Sequence, residues 1–139
     1  MWRLFAVALV AGSASAQSVK YVPAGANLPF SAAVVVDNMV YASGQIGSDA
    51  AGKLVAGGIK AETAQALKNI DAVLRANGSD LDHVVKCTAM LADIAEWPAM
   101  NEVYVTFFPH HLPARSAFAT AGLVRGARIE LECTATVSK

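Results

Sequence analysis

The segment Ser31–Val36 places the strongest constraint on how this chain folds. Its sequence is Ser-Ala-Ala-Val-Val-Val, so the strand that it predicts presents small or apolar side chains on both faces. Asp37-Asn38 follows as a turn signal, and residues 39–43 return as the second arm of a predicted hairpin. A sheet that contains this hairpin has to be covered on both faces.

The rest of the chain predicts two helices and three further strands. Apolar residues at spacings of three and four indicate one helix at residues 60–76 and a second between Asp93 and Pro109. The predicted strands are residues 81–91, 115–121 and 128–137. The order is β-β-α-β-α-β-β, an α+β sandwich with two helices on one face of a mixed sheet. Because two helices cover only one face, we expect another subunit to cover the other.

The first sixteen residues are predicted to be a signal peptide. A positive start at Arg3 precedes an apolar run at residues 4–10, and Ala14-Ser15-Ala16 fits the small-x-small rule for cleavage. The run is too short to span a membrane. A buried N-terminal helix and an uncleaved anchor are the alternatives. We therefore expect one domain at residues 17–139, exported to the periplasm or secreted, without stable membrane association.

Charge and motifs narrow the classes of function. The sequence has 11 basic and 11 acidic residues and no basic cluster, which argues against nucleic acid as the main partner. His110-His111 has no third ligand at a metal-like spacing, so no metal site is expected. No Gly-rich phosphate loop precedes a helix, and no Cys-x-x-Cys motif is present, so we do not expect redox catalysis.

The two cysteines, Cys87 and Cys133, occupy core-facing positions of predicted strands. Two free buried thiols are the simpler interpretation. A disulfide is the alternative if the compartment is oxidising.

Arg115 and Glu130 are the main candidates for chemistry. The planar guanidinium of Arg115, set among small residues, matches a substrate carboxylate. Glu130 and Glu132 share the strand face opposite Leu131, and a partly buried carboxylate near an arginine can position or activate water. The alternatives are a structural ion pair of Arg115 with either glutamate, or a solvated pair of glutamates at the edge of the sheet.

Three further residues are weaker candidates. Gly44 ends a predicted strand and would let a ligand approach the backbone, and Ser43 beside it could bond that ligand. Asn101 lies among apolar neighbours on the second helix. A simple turn at residues 43–45 and a partly exposed Asn101 are the alternatives.

Taken together, these residues resemble the RidA/YjgF family of reactive imine and enamine deaminases. The resemblance extends from about residue 18 to the end of the chain. Its most specific part is the combination of Pro-Ala-Arg-Ser at residues 113–116 with Ile-Glu-x-Glu at residues 129–132. It is carried by Tyr41-Ala42-Ser43-Gly44-Gln45-Ile46, Asn69-Ile70, Ala76-Asn77-Gly78-Ser79, Val84-Val85-Lys86-Cys87-Thr88, Met100-Asn101-Glu102-Val103-Tyr104, Phe107-Phe108, Pro113-Ala114-Arg115-Ser116 and Ile129-Glu130-Leu131-Glu132.

The resemblance implies a chorismate-mutase-like fold that forms a homotrimer, with its sites in clefts between subunits. It implies cofactor-free hydrolysis of 2-imino acids, or their enamine tautomers, to 2-oxo acids and ammonia. Arg115 falls on the arginine that holds the substrate carboxylate, and Glu130 on the glutamate associated with the hydrolytic water. Ser43, Gly44 and Asn101 fall on positions that line the site.

The chain also departs from the family pattern. Leu28-Pro29-Phe30 replaces the usual Gly-Pro-Tyr, so a tyrosine hydroxyl is missing from the site. Ala117 stands where Cys or Val is common, and Gly122-Leu123-Val124 replaces Arg-Leu-Pro. We expect Phe30 and Ala117 to change the polarity and size of the pocket. A non-catalytic small-ligand-binding or chaperone-like trimer is the alternative function, and endoribonuclease activity is a weaker one.

Overall fold

The computed structural model describes residues 16–138. The predicted order β-β-α-β-α-β-β is confirmed, and two short strands, β1 and β4, are added to it. The predicted signal peptide falls on residues 1–16 and therefore lies, apart from Ala16, outside the described residues. The elements are β1 (Val19–Pro23), β2 (Ser31–Val36), β3 (Met39–Ala42), β4 (Gln45–Ile46), α1 (Gly58–Arg75), β5 (Val84–Leu91), α2 (Trp97–Tyr104), β6 (Ala114–Ala119) and β7 (Ile129–Thr136).

All seven strands form one mixed sheet. Its order is β1-β2-β3-β7-β5-β6, and β4 pairs with β7 beyond the end of β3. Only β5 and β6 run parallel, because α2 carries the chain back between them. The last strand of the chain, β7, therefore lies in the middle of the sheet, between β3 and β5.

The long helix α1 packs its apolar stripe on the sheet and begins two residues earlier than predicted. Gly57 precedes it with a φ of 118°, a left-handed conformation that favours glycine. Its buried residues include Leu67, Ile70 and Leu74. None of the helices in residues 16–138 is long and apolar enough to cross a membrane.

Two predicted boundaries differ from the structure because 3₁₀ turns replace the ends of longer elements. Residues 81–83 form a 3₁₀ turn, so β5 begins at Val84 rather than at Leu81. Before α2, the Asp93 carboxylate accepts the N–H of Ala95 at 2.9 Å and so caps the turn at Ile94–Glu96 instead of the helix. Pro98 lies in the first turn of α2, where a missing backbone N–H leaves no helical hydrogen bond unmade.

The cysteines are bonded to each other, so the interpretation as two free thiols is wrong. The register of β5 and β7 places Cys87 directly opposite Cys133, with their Cα atoms 4.1 Å apart. Both residues lie in the buried core between the sheet and the helices. The disulfide thus joins two neighbouring strands at the centre of the sheet.

The other face of the sheet carries apolar side chains that none of the helices within residues 16–138 covers. Tyr21, Tyr41 and Phe118 are each about half or more exposed, at 71%, 47% and 47%. Tyr21 and Tyr41 both stand opposite Val34 of β2, so they form a row across the sheet. As predicted from the sequence, the helices of one chain leave an apolar face of the sheet exposed.

The disulfide closes a loop with a sequence separation of 46 residues, so its reduction is expected to destabilise the fold. A cross-link of this span restricts the unfolded chain, and its loss costs about 2–4 kcal/mol. Urea unfolding at one protein concentration, with and without dithiothreitol, measures this change. The Cys87→Ala/Cys133→Ala double variant is the control, because the reductant should no longer shift its midpoint. An equal shift in that variant, or none in the wild type, would contradict the prediction.

Candidate active site

Arg115 lies on the helix-covered face of the sheet. In the register of the sheet, Arg115 of β6 stands beside Cys87 of β5, which in turn stands beside Cys133 of β7. Both cysteines are buried against the helices, and side chains in one such row share a face. The register therefore directs the Arg115 side chain towards α2.

The Arg115 guanidinium is held by side chains of α2. One terminal nitrogen donates to the Asn101 Oδ1 at 2.6 Å, and the other contacts the Met100 sulfur at 3.7 Å. The Arg115 Cζ lies 4.4 Å from the centre of the Tyr104 ring and 5.9 Å from that of Trp97. These contacts use the face and part of the edge of the guanidinium and leave N–H groups free for a ligand.

No carboxylate in residues 16–138 lies within 4 Å of Arg115. The alternative of a structural ion pair with Glu130 or Glu132 is therefore wrong within one chain. A half-buried positive charge without a negatively charged neighbour lowers the stability of the fold unless the charge binds a ligand. The arrangement suits an incoming anion.

A pocket of about 280 Å³ opens beside the guanidinium. Its polar side-chain groups belong to Arg115 and Asn101, while the Tyr104 ring and the other side chains form an apolar wall. Leu112 contributes to that wall and is 64% exposed. The lining residues are Asn101, Tyr104, Val105, Leu112, Pro113 and Arg115. The volume and lining fit a small acid with a short apolar chain.

Tyr104 is almost completely buried beneath this pocket, with 2% of its surface exposed. Its hydroxyl is enclosed and has no hydrogen-bond partner among the described residues. Burial raises the pKa of the Tyr104 phenol to about 12, although the nearby charge of Arg115 acts in the opposite direction. Tyr104 is therefore neutral at physiological pH.

Glu130 lies on the opposite face of the sheet from Arg115. It alternates along β7 with the buried residues Ile129 and Leu131, and its partners in the ladder are Met90 and Ile46. Glu132 shares this face and is more exposed than Glu130. The prediction that both glutamates share the face opposite Leu131 is confirmed.

Gly44 leaves the space that the Glu130 carboxyl occupies. A Cβ placed on Gly44 would lie 2.0 Å from the Glu130 Oε1 and 2.9 Å from its Cδ. Any side chain at position 44 would therefore displace the carboxyl group. Glycine at position 44 thus allows the carboxyl group to approach the backbone closely, and its φ is not in the left-handed region.

An open cleft of about 570 Å³ surrounds Glu130. Leu28 and Phe30 form part of an apolar wall, and both are about half exposed. Arg125 adds a positive charge; its φ is 59°, and its guanidinium donates to the carbonyl oxygen of Gly52. The lining residues are Ala24, Leu28, Phe30, Ala32, Gly44, Gln45, Ile46, Ser48, Val73, Val124, Arg125 and Glu130.

Helix α1 fixes the short strand β4 against Glu130. Asn69 donates to the carbonyl oxygens of Ile46 at 3.1 Å and of Ser48 at 2.9 Å. Gly47 lies flush against the helix, since a Cβ there would come within 2.4 Å of the Glu62 Cα. The segment is thus held between the helix and the carboxyl group.

Glu62 also holds the start of β7. Its side chain is buried, with 5% exposure, and its carboxylate accepts the backbone N–H of Arg128 at 2.8 Å. Arg128 precedes Glu130 by two residues. The same helix therefore supports both strands on which the Glu130 side of the site depends.

The predicted site residues divide into two groups in the structure. Arg115 and Asn101 meet in the smaller pocket, and Phe30, Gly44 and Glu130 meet in the larger cleft. Since these two groups lie on opposite faces, one chain does not bring Arg115 and Glu130 together.

Two other predicted residues lie beside the site without lining either space. The Ser43 hydroxyl donates to the carbonyl oxygen of Ser31 at 2.6 Å, so it fixes the backbone next to Gly44. Ala117 stands in register with Ala89 and packs against the core on the same face as Arg115.

Sequence reasoning missed Tyr104, Leu112 and Arg125 as lining residues. Tyr104 lies on the buried face of α2 and also lines the pocket. Its position three residues after Asn101 places both on one helical face and was the available signal. Arg125 lies in a turn between Gly122 and Gly126, and no periodic pattern marks such a position.

No group of three or more potential ligands is placed to bind a metal ion within residues 16–138. The Nδ1 of His83 lies 2.7 Å from the Asp80 Oδ1 instead, and this contact lowers the pKa of Asp80. His110 and His111 line two different surface pockets.

Known proteins share the fold and much of the sequence of this chain. A family model described as Endoribonuclease L-PSP matches residues 22–137. A human protein named 2-iminobutanoate/2-iminopropanoate deaminase is 48% identical over 112 residues, which is 80% of this chain and 82% of the human protein. Reactive Intermediate Deaminase A of Arabidopsis thaliana, described as chloroplastic, is 43% identical over 78% of this chain and 59% of its own.

Solved structures agree with these relatives. The yeast structure described as YEO7_yeast superposes with a TM-score of 0.80 at 38% identity and covers 87% of this chain and all of its own. The E. coli protein TdcF, whose structure contains bound serine, has a TM-score of 0.76 at 30% identity and covers 82% of this chain and 92% of its own.

The predicted export to the periplasm or out of the cell is wrong. The relatives are mammalian and yeast proteins and a chloroplast protein, and none of these is periplasmic. The prediction rested on a positive residue followed by a short apolar run. That composition does not by itself identify a compartment.

The buried phenol of Tyr104 predicts a loss of stability at alkaline pH. An exposed tyrosine in the unfolded chain has a pKa of about 10, whereas that of Tyr104 in the folded chain is about 12. Between these values the unfolded chain loses a proton that the folded chain keeps, so the free energy of unfolding falls as pH rises. Urea unfolding at several pH values from about 9 to about 11.5 measures this fall.

Tyr104→Phe is the matched control, because it removes the phenol and keeps the ring. The difference in unfolding free energy between the wild type and Tyr104→Phe should shift against the wild type as pH rises. A difference that stays constant over this range would show that the phenol is not buried.

Proposed function

Because the chain belongs to the RidA/YjgF family, whose model is described as Endoribonuclease L-PSP, we propose that it is a cofactor-free deaminase. It hydrolyses reactive 2-imino acids, or their enamine tautomers, to 2-oxo acids and ammonia. One observation carries the proposal for this chain: Arg115 has no anionic partner among residues 16–138 and faces a pocket sized for a small carboxylic acid. A homologous E. coli structure that contains serine supports a ligand of this chemistry.

Arg115 binds the substrate carboxylate. Its planar fork forms charge-assisted hydrogen bonds, each contributing about 1.5–3 kcal/mol. Asn101 accepts one N–H of the guanidinium and so fixes its rotation in the plane. Arg115 thus acts as a clamp on the carboxylate and holds the imine carbon at a set distance from its guanidinium. This lowers the entropic cost of the reaction.

Glu130 positions the water that attacks the imine carbon. The carboxylate accepts a proton from the water as the C–O bond forms, and the proton then passes to the nitrogen. The new hydroxyl group then gives up its own proton, which also reaches the nitrogen. As it does so the C–N bond breaks, ammonia leaves, and the tetrahedral carbon becomes the carbonyl of the 2-oxo acid. Gly44 serves this step by leaving the carboxyl group room beside β4.

The complete site requires a second copy of the chain, in a homotrimer. Arg115 and Glu130 lie on opposite faces of one sheet, so a single chain cannot apply both to one substrate. The exposed row of Tyr21 and Tyr41 supports subunit contact through the uncovered face. Arg115 of one subunit and Glu130 of its neighbour then face one cleft.

The family description names an endoribonuclease, but the chain favours a small substrate. Its charges balance at 11 basic and 11 acidic residues, which gives no attraction to a polyanion. RNA cleavage is therefore a control reaction and is expected to be absent.

The deaminase activity is tested by coupling an amino-acid oxidase, which generates a 2-imino acid, to detection of the remaining imine with semicarbazide. The wild type should speed imine loss. Arg115→Ala should lower kcat/KM about 10²-fold or more, because at least two charge-assisted hydrogen bonds are lost. Glu130→Gln should lower kcat by about 10²–10⁴-fold, since Gln cannot accept the proton.

Arg75→Ala is the matched control, because Arg75 is an exposed arginine paired with Asp71 on α1. It should keep the wild-type rate. A wild-type protein that never accelerates imine loss would exclude the function, and full activity of Arg115→Ala would exclude the clamp.

The shared site is tested by mixing inactive subunits. Unfolding Arg115→Ala and Glu130→Gln together and refolding them gives mixed trimers. About one quarter of the sites then combine an intact Arg115 from one subunit with an intact Glu130 from its neighbour. Activity should recover to about that fraction, while each variant refolded alone stays inactive. No recovery in trimers shown by native mass spectrometry to be mixed would place both residues in one subunit's site.

A further inference from the structure

Tyr104 lines the Arg115 pocket, but the proposed reaction assigns it no role. Its ring lies against the Arg115 guanidinium at 4.4 Å, the nearer of the two aromatic contacts of that group. Its hydroxyl is buried and has no partner in the described residues. The hydroxyl therefore contacts neither Arg115 nor the pocket, and the face of the ring is the part of Tyr104 that meets the guanidinium.

The contact with the ring constrains the guanidinium in a way that its hydrogen bonds do not. The hydrogen bond to Asn101 lies at the edge of the guanidinium and sets its rotation within the plane. A cation over an aromatic face is attracted to the ring quadrupole, and this attraction is stronger where water is excluded. The ring therefore fixes the tilt of the guanidinium plane.

We propose that Tyr104 is a positioning residue that sets the carboxylate affinity of Arg115 through the face of its aromatic ring. This proposal rests on the proposed function for the identity of the substrate, but not for the carboxylate binding itself. The ring and Asn101 together direct the free N–H groups of Arg115 into the pocket. Without the ring, Arg115 still carries its charge, but its guanidinium plane is no longer held in the orientation that directs its N–H groups into the pocket.

The hydroxyl takes no part in this role. It is enclosed in the core, and the phenol stays neutral because burial raises its pKa to about 12. The attraction is therefore between a cation and a neutral ring, and phenylalanine at position 104 retains it. This separates the proposal from a role of Tyr104 as an acid or a hydrogen-bond donor.

Phe108 provides a matched control within the same core. Its ring lies 4.8 Å from that of Tyr104 at an angle of 41°, and it is 5% exposed. It does not line the Arg115 pocket. Phe108→Leu therefore removes an aromatic ring from the same packing layer and leaves the guanidinium contact in place.

The experiment measures equilibrium binding of 2-oxobutanoate and propanoate to the full-length protein by calorimetry. Tyr104→Leu should weaken both about 10–30-fold, in line with a desolvated cation–π contact. Tyr104→Phe and Phe108→Leu should each stay within about two-fold of the wild type, although Phe108→Leu lowers the melting temperature. In the imine assay, Tyr104→Leu should raise KM and leave kcat nearly unchanged.

A second series keeps the shape of the core. Phenylalanine with one, two and three ring fluorines at position 104 weakens the quadrupole stepwise with little change in volume. Affinity for propanoate should fall with each fluorine, and this readout does not depend on whether Tyr104→Leu folds. A purely structural role would leave the affinity unchanged along the series.

Each result decides the question. The proposal is overturned if the fluorinated series is flat, if Phe108→Leu weakens binding as much as Tyr104→Leu, or if Tyr104→Phe does so. If imine hydrolysis is absent but carboxylate binding depends on the ring, the proposed function fails and the role of Tyr104 stands. If the wild type binds no carboxylate, both fail.

Discussion

The alternation of side chains along a β-strand governs the whole arrangement of this molecule. With neighbours on β5 and β7 in fixed register, Arg115 shares a face with Cys87 and Cys133, while Glu130 points the other way. The two groups with the clearest chemistry are therefore separated by the thickness of the sheet. A shift of one residue in either strand would exchange the faces, so the register decides where the chemistry is located.

Each half of the site depends on a different helix. The arginine relies on α2, which supplies an amide, a sulfur and two aromatic rings around one guanidinium. The carboxyl side relies on α1, whose Asn69 and Glu62 bind backbone groups of the strands around Glu130. In the second case the polar side chains of the helix act on the backbone, so they set the position of the glutamate without touching it.

The sequence predicted the sheet, both helices and their order, because apolar periodicity reports which face of an element is buried. It also predicted that Arg115 and Asn101 would line a site. It failed where the answer depends on register between distant strands: the bond between Cys87 and Cys133, and the separation of Arg115 from Glu130. It failed again where a 3₁₀ turn shortened an element, as before Val84, because the backbone N–H of His83 donates to the carbonyl oxygen of Asp80 within the turn and not to a neighbouring strand.

The location of Phe30 has a consequence for how such a protein can diversify. Phe30 belongs to the cleft around Glu130 and not to the pocket that holds the arginine. The wall of that cleft can change in bulk or polarity while the anchor for the acid group remains intact. Under the proposed function, recognition of the constant part of a substrate and recognition of its variable part thus fall to separate segments of the chain. One scaffold of this kind is free to acquire new preferences by a few substitutions near residue 30.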